Sequence, residues 1–201
     1  MIDNNKAIEI HPLEPFLPEG ARLLMLGSFP PPRSRWSMDF YYPNFQNDMW
    51  RILGIVFFQD KNYFLTEDGK HFYEEKIRAF LIEKGIALSD TATKIIRHKD
   101  NASDKFLEVV ESLDLQVVLQ RLAACKAIVT TGQKATDTLI ALTGTEQPPV
   151  GGFSEFCFQG RVIRLYRMPS SSRAYPKPVE EKALYYRKMM EEIGLLKKEK
   201  E

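Results

Sequence analysis

The chain of 201 residues is 44% hydrophobic and 27% charged, with 28 basic and 27 acidic side chains and a net charge of +1. These fractions are typical of a globular domain and exclude collagen-like, coiled-coil and intrinsically disordered classes. A charge so close to zero also means that any nucleic-acid-binding surface must be local, because the whole molecule carries no strong field.

The length and the absence of a linker-like break predict a single domain over residues 1–201. Three prolines between positions 12 and 18 predict an N-terminal arm without regular structure over residues 1–20, and residues 197–201 are expected to form a frayed tail. No apolar run reaches the ~18 residues of a membrane span, and the N-terminus lacks the order of a secretion signal. A cytoplasmic protein is therefore expected.

The cysteines and histidines give no sign of a metal centre. Cys125 and Cys157 lie far apart in apolar runs, which favours two reduced core thiols over a disulfide. Two cysteines cannot supply the four thiolates of an iron–sulfur cluster. His11, His71 and His98 are scattered without metal-ligand spacing, so each is expected to be a surface or locally bonded histidine.

Strands and helices are predicted to alternate. A short apolar run ending at Leu26 predicts a first strand over residues 22–26, followed by a long loop whose aromatic rings must either pack on the body or stack on a ligand. Residues 95–104 are charged and irregular. The other predicted elements are helices over about 49–57, 72–84, 106–110, 115–122, 135–142 and 179–196, strands over 85–88 and 127–130, and a hairpin or bent pair at 155–158 and 161–166.

This alternation predicts an α/β fold, a three-layer α/β/α sandwich with a central, mainly parallel four- to five-stranded sheet. Ligands bind beyond the carboxyl ends of the strands in such sheets, so the predicted strand ends should meet at one cleft. Those ends are 27–29, 89–90, 131–132 and 169–170. They are rich in hydroxyl and carboxyl groups but lack an obvious nucleophile and a phosphate-binding glycine loop, which favours recognition and electrostatic catalysis.

Several segments in order resemble one enzyme superfamily. Gly-Ser-Phe-Pro at 27–30, followed by Tyr-Tyr-Pro-Asn-Phe-Gln-Asn-Asp-Met-Trp at 41–50, resembles the first motif of the uracil-DNA glycosylase superfamily. The likeness is strongest to its hypoxanthine (deoxyinosine) DNA glycosylase family, which reads Gly-Ser-Phe-Pro-Gly and then Tyr-Tyr-x-x-x-x-Asn-x-x-Trp. Segments 85–90, 131–135 and 169–174 resemble the later motifs, so the resemblance covers nearly all of residues 23–186.

Two positions depart from the family pattern. Pro31 stands where the family usually has glycine, and Arg173 stands where a proline commonly follows the serine-rich run. These departures bear on substrate choice and on the loop that inserts into DNA rather than on the fold.

The resemblance implies a monofunctional DNA glycosylase of base-excision DNA repair. Such an enzyme flips a deaminated base, hypoxanthine or uracil, out of the duplex and hydrolyses its N-glycosidic bond with an activated water. It needs no metal and no cofactor. Its partner is DNA that contains a deaminated base, with no membrane and no obligate protein partner.

The resemblance also implies roles for particular residues in binding the base. Phe29 would stack on the flipped base, and Thr131 lies where relatives often carry a base-reading Asn, although it could equally be an ordinary turn hydroxyl. The full base-binding set comprises a pocket floor, a stacking ring, a wall and a reading position: Gly27, Phe29, Pro30, Tyr41, Tyr42 and Thr131.

The candidate catalytic residues are Asn47 and Ser28. Ser28 stands where related families place a polar residue that holds the water, but a hydroxyl is a poor general base. The hypoxanthine family is thought to rely on the residue at Asn47, which could also be a helix N-cap, and Asn44 is its rival, with turn formation as its simpler explanation. Asp90 either supports the site or caps the next helix, and the cap is the simpler interpretation.

The serine-rich loop is the candidate DNA-binding segment. Ser170, Ser171 and Ser172 would hold phosphates beside the lesion, with Arg173 wedging into or steering the duplex, unless this is only a solvated loop. Two other functions stay open. One is a non-catalytic nucleic-acid or nucleobase binder on the same fold, and the other is a small-molecule serine hydrolase that uses Ser28 or Ser170.

Overall fold

The structure, a computed structural model, describes residues 7–98 and 103–197. Within them the chain forms eight strands and five α-helices. In chain order they are β1 (Ile8–Ile10), β2 (Leu23–Gly27), α1 (Met49–Phe58), α2 (Glu74–Lys84), β3 (Ile86–Asp90), β4 (Ala92–Arg97), β5 (Leu107–Ser112), α3 (Leu115–Arg121), β6 (Ala127–Thr130), α4 (Gln133–Thr143), β7 (Phe153–Phe158), β8 (Arg161–Arg167) and α5 (Val179–Glu192).

The central sheet has five strands in the order β3-β2-β6-β8-β7. The first four are parallel, and β7 joins the edge as the antiparallel partner of β8. Side chains alternate across it: Leu23 and Met25 pack into a core with α1, α2 and α5, whereas Leu24 and Leu26 pack into a second core with α3 and α4. The predicted three-layer α/β/α sandwich with a mainly parallel sheet is confirmed.

A second, three-stranded antiparallel sheet was not predicted; its order is β1-β4-β5. The expected irregular stretch over 95–104 is wrong as far as Arg97, because β4 extends to that residue. The helix predicted over 106–110 is also wrong, because Leu107–Ser112 is β5. Leu107 and Val109 point inward while Val110 is exposed, the two-residue alternation of a strand paired on one face.

The N-terminal arm is partly ordered as a strand. The prediction that residues 1–20 hold no regular element is wrong for β1, which pairs with β4 before the first proline is reached. The arm then exchanges two 2.9 Å backbone hydrogen bonds between Phe16 and Leu88, which satisfies the free edge of β3. Residues 1–6 of the arm and 198–201 of the predicted tail lie outside the described residues.

The aromatic rings of the loop between β2 and α1 pack on the body of the protein. Phe40 and Tyr41 are buried, and Phe40 stacks on the fully buried Trp50 at a centroid distance of 6.2 Å. The Trp50 indole nitrogen donates to the Tyr41 carbonyl at 3.2 Å. These contacts hold a long loop in one place beside the strand ends.

The two cysteines differ in exposure. Cys125 is buried, and burial raises the pKa of its thiol to about 11. Cys157 is exposed because it lies on the outward face of the edge strand β7, so the prediction of two core thiols is wrong for this residue. None of the described helices is long and apolar enough to cross a membrane.

Candidate active site

The carboxyl ends of β2, β3, β6 and β8 open into a cleft of about 880 Å³. The four strand ends therefore meet as expected. The cleft brings together every residue that sequence reasoning assigned to the site, and they are Gly27, Ser28, Phe29, Pro30, Tyr41, Tyr42, Asn47, Thr131, Ser170, Ser171, Ser172 and Arg173.

Gly27 and Asp90 form the inner end of the cleft. They face each other in register at the ends of β2 and β3. A Cβ at Gly27 would lie 2.4 Å from Asp90 Oδ1, so only glycine lets this carboxylate rest against the backbone. The helix-cap interpretation of Asp90 is wrong, because β4 rather than a helix follows it. Asp90 instead lines the cleft.

His11 orients Asp90 from behind, and sequence reasoning missed this role. Its Nε2 lies 2.8 Å from Asp90 Oδ2, and both side chains are less than one-tenth exposed. Its Nδ1 lies 2.9 Å from the carbonyl and 3.1 Å from the amide nitrogen of Leu13. Both ring nitrogens are therefore committed to protein partners, and His11 acts through Asp90 rather than on a ligand.

Phe29 is held rigidly at the cleft wall. The ring is 8% exposed and packs against Ala92, Ile95 and Leu107 of the small sheet. The edge of His11 meets it at a centroid distance of 5.0 Å. Because the ring is fixed by packing and still borders the cleft, it is suited to stack on a planar ligand.

Tyr42 and Thr131 join two strand-end loops across the cleft. Tyr42 has a φ of 51°, a conformation that is rare for a bulky residue, and its hydroxyl lies 3.0 Å from Thr131 Oγ1. Burial, with the charge of Asp90, raises the Tyr42 pKa far above its ordinary value, so the phenol stays neutral. Tyr41 is more deeply buried, and its hydroxyl donates to the Glu14 carbonyl at 3.1 Å.

Asn47 and Asn44 both use their side-chain oxygens locally. Asn47 Oδ1 accepts from the backbone nitrogen of Met49, the first residue of α1, at 2.9 Å. This is a capping contact made from the residue before Asp48, which occupies the N-cap position without a side-chain cap bond of its own. Asn44 Oδ1 accepts from the Gln46 nitrogen at 2.9 Å, the bond of an Asx turn. The capping contact leaves the Asn47 amide NH₂ to donate elsewhere, and the residue borders the cleft.

Asp104 is a cleft carboxylate that sequence reasoning missed. A short 3-10 helix, Asp104–Phe106, places it at the cleft, which Ser28 also lines. Burial raises the Asp104 pKa and the charge of Asp90 raises it further, while Ser28, Lys134 and Arg97 act in the opposite direction. No motif marks it, and the strand-like alternation of Leu107 and Val109 that follows does not by itself place it at the cleft.

The serine loop is tied into the body by backbone bonds. The Asp48 nitrogen donates to the Ser171 carbonyl at 2.9 Å, and Ser170 Oγ accepts from the Ser172 nitrogen at 3.2 Å. The fully buried Lys182 of α5 bonds Asp48 Oδ2 at 3.0 Å and the Ser172 carbonyl at 2.8 Å. This buried ion pair joins α5, the start of α1 and the loop.

A basic groove continues from this loop along the surface. It has a volume of about 340 Å³ and is lined by Asp48, by Arg173 and by three further cations. Arg173 is half-exposed, with its Nε 3.5 Å from Asp48 Oδ1. The three further cations, which sequence reasoning did not assign to a site, are Arg51, Lys61 and Lys177.

In the described ranges, no three His, Cys, Asp or Glu residues are grouped so that they could hold a metal ion. The cleft offers a rigid aromatic ring, the carboxylates of Asp90 and Asp104, a third at its rim from Asp137, and several neutral hydrogen-bonding groups. This set can bind a planar polar ligand and position a water beside it.

The sheet order, the helix layers on both faces and the cleft at the strand ends define a three-layer α/β/α sandwich with a strand-end site. The chain is similar to the solution NMR structure of "a putative Uracil DNA glycosylase from Methanosarcina acetivorans", with a TM-score of 0.60 and 22% sequence identity over 91% of this chain and 99% of that chain. This likeness is one of fold, and it agrees with the predicted α/β/α architecture. No protein-family model and no curated protein match the chain.

Proposed function

We propose that this protein is a monofunctional DNA glycosylase of base-excision repair that removes a flipped deaminated base, hypoxanthine or uracil, by water attack at the sugar. One observation carries the proposal. The strand-end cleft places the fixed Phe29 ring, polar side chains and a serine loop with an adjoining cationic groove side by side. A buried base is out of reach in a duplex, so an enzyme that cleaves it needs such a pocket beside a phosphate-binding surface.

The base is proposed to enter between the pocket floor and wall. Phe29 stacks on its face, because a ring fixed from behind loses little entropy when a base packs on it. Gly27 and Pro30 form the floor, and Tyr42 with Thr131 lies at the polar edge of the base. Tyr41, which is 3% exposed, supports Tyr42 more than it touches the ligand.

The reaction is proposed to depend on charge stabilisation and a positioned water. Breaking the N-glycosidic bond develops positive charge on the sugar and negative charge on the leaving base. Asn47 donates from its amide NH₂ to hold the water, and Ser28 adds a second hydrogen-bonding group. Asp90, kept in place by His11, supplies negative charge near the sugar.

DNA is proposed to lie across the serine loop and the basic groove. The backbone of Ser170, Ser171 and Ser172 is anchored by Asp48 and Lys182, so the loop can meet phosphates without reordering. Arg173 and the groove cations supply local positive charge that the net charge of +1 does not. The cytoplasmic location stays a prediction.

The test uses labelled oligonucleotides that carry uracil, hypoxanthine or xanthine, single-stranded and double-stranded, incubated with the protein without added metal. Abasic sites are then cleaved with alkali. We expect strand scission on at least one deaminated base and none on the undamaged control. Scission on no lesion contradicts the proposal, and lesion binding without scission supports the non-catalytic binder instead.

The serine hydrolase is the less favoured alternative. A serine nucleophile needs a base such as imidazole beside it, whereas Ser28 shares the cleft with the carboxyl groups of Asp90 and Asp104. His11, at the same end of the cleft, is bonded to Asp90 and Leu13. Turnover of a generic ester that is lost in Ser28→Ala would favour this alternative.

A further inference from the structure

A carboxylate reaches the cleft from an element that the motifs do not cover. Ser28 stands where a polar group would hold the attacking water, but its hydroxyl cannot take a proton from water at neutral pH. The Asp104 carboxyl borders the same cleft as Ser28, and Ser28 acts to lower the Asp104 pKa. A carboxylate, which can act as a general base, therefore lies in the same cleft as the weakly basic serine.

The small sheet holds this carboxylate in place. Arg97 of β4 pairs with Glu9 of β1 at 2.9 and 3.0 Å and also donates to the Pro30 carbonyl at 3.0 Å. Leu107, which directly follows the 3-10 helix, packs under Phe29. β4 pairs with β5 at Leu107, and the His98 nitrogen donates to the Phe106 carbonyl at 2.8 Å. The segment that carries Asp104 is therefore joined through the small sheet to the Pro30 loop and to the Phe29 ring of the proposed base pocket.

We propose that Asp104 is the general base that takes the proton from the attacking water, with Ser28 orienting it. This inference rests on the proposed glycosylase function and identifies the general base of that reaction. The water oxygen forms a bond to C1′ of the sugar while the C1′–N bond breaks and its electron pair leaves with the base. One proton of the water passes to Asp104 and then to solvent, and the leaving base is protonated from solvent.

The charges around Asp104 give the reaction a characteristic pH dependence. The groups that act on it come from four elements: Asp90 at the end of β3, Arg97 on β4, Lys134 on α4 and the Ser28 hydroxyl after β2. Tyr42 faces it as a neutral phenol. Because burial and Asp90 raise the Asp104 pKa, the rate should fall on the acid side as the carboxylate is protonated there.

The experiment measures single-turnover excision, with enzyme in excess, on the lesion that the wild-type protein cleaves fastest, across the pH range. We expect Asp104→Asn to lose about 100-fold or more, the usual worth of a general base. Asp137→Asn is the matched control, since Asp137 is an exposed acid on the rim of the same cleft. It should keep the wild-type rate.

Two readouts separate catalysis from structure. Asp104→Asn should bind a duplex carrying a tetrahydrofuran abasic analogue as tightly as the wild type. The acid limb of its pH–rate profile, which is the fall in excision rate at low pH, should vanish. Ser28→Ala should keep the limb but move it to higher pH, because the hydroxyl that lowers the Asp104 pKa is gone. If Asp104→Asn folds poorly, Asp104→Glu and Ser28→Ala carry the same test.

The possible failures are distinguishable. If the wild type excises a base and Asp104→Asn keeps its rate or its acid limb, the assignment of Asp104 is overturned while the glycosylase stands. Loss of the limb in Asp90→Asn instead would identify Asp90 as the base and overturn the inference. If the wild type excises no nucleobase, both the assignment of Asp104 as general base and the proposed function are overturned.

Discussion

Asn47 has a structural contact and a proposed catalytic role, and two substitutions separate them. Its side-chain oxygen caps α1 through Met49, so only its amide NH₂ distinguishes it from an aspartate in that place. Asn47→Asp should therefore keep the stability of the wild type, helped by a negative charge at a helix N-terminus, and lose excision by about 10- to 100-fold.

Asn47→Ala removes the cap as well. It should lose the same activity and in addition about 1 kcal/mol of stability, the usual cost of a lost N-cap. Thermal unfolding and single-turnover rates measure the two effects separately. Full activity in Asn47→Asp would mean that the residue serves the helix and not the water.

Gly27 is required by a contact rather than by its backbone angles. A Cβ there would meet Asp90 Oδ1 at 2.4 Å, so Gly27→Ala must displace the carboxylate and loosen its bond to His11. We expect Gly27→Ala to cost about 1 to 3 kcal/mol, as overpacking does in a tight site, and to reduce excision.

A double-mutant cycle with Asp90→Ala tests this cause for Gly27. Once the carboxylate is removed, the added methyl group has room, so Gly27→Ala should cost clearly less stability in the Asp90→Ala background. Chemical denaturation of the four proteins measures the difference. Additive costs would show that the glycine serves some other purpose than making space for Asp90.

At the scale of elements, the buried Lys182 joins α5 to the serine loop. Its ammonium is fully buried and bonded to Asp48 and to the Ser172 carbonyl. Lys182→Met leaves the Asp48 carboxylate buried without its cation, which should cost about 3 to 5 kcal/mol. Because the loop loses an anchor, DNA binding should weaken as well.

The control for Lys182 lies on the same helix. Lys188 is exposed and sits 4.0 Å from Glu192, a surface pair one helical turn apart. Lys188→Met should change stability by less than about 0.5 kcal/mol. Equal effects of the two substitutions in denaturant titrations would argue against the buried pair as the anchor of the loop.

The central elements were predictable because local patterns and tertiary structure agree there. The strand predicted over 127–130 has the same first and last residues as β6. The C-terminus of α2 was predictable from Gly85, which follows the helix with a φ of 68°. By contrast, the spacing of Phe106, Val109 and Val110 is compatible with a short helix, and pairing with β4 makes it a strand. Short apolar runs carry no local signal strong enough to decide between the two.

The contrast between local sequence patterns and tertiary pairing also explains which site residues were predictable. The strand-end rule and the motifs together located all twelve predicted cleft residues: Ser28 and Thr131 directly follow strands, whereas Tyr41, Tyr42 and Asn47 belong to the motif that precedes α1. Asp104 and His11 could not be located in this way. Asp104 depends on the pairing of β4 with β5, and His11 follows a strand that exists only because β4 pairs with it. Their approach is a tertiary event that no short segment encodes.

For the molecule as a whole, the question is whether its net charge or a local surface attracts DNA. The net charge is +1, so the charge that meets phosphates must be concentrated, and the groove beside Arg173 is where cations gather. Arg173→Ala and Arg121→Ala both bring the net charge to zero. Arg121 is exposed on α3, in the helix layer on the other face of the sheet from α1 and α5.

We expect Arg173→Ala to weaken binding and to reduce the slope of log Kd against log salt concentration by about 1, because one phosphate contact is lost. Arg121→Ala should leave both unchanged, since a charge on the far layer is screened beyond a Debye length of roughly 10 Å at 0.1 M salt. Fluorescence anisotropy with a lesion-bearing duplex at several salt concentrations measures both. If the two variants weaken binding equally, the overall field rather than the groove attracts DNA, and the placement of the duplex across the serine loop fails with it.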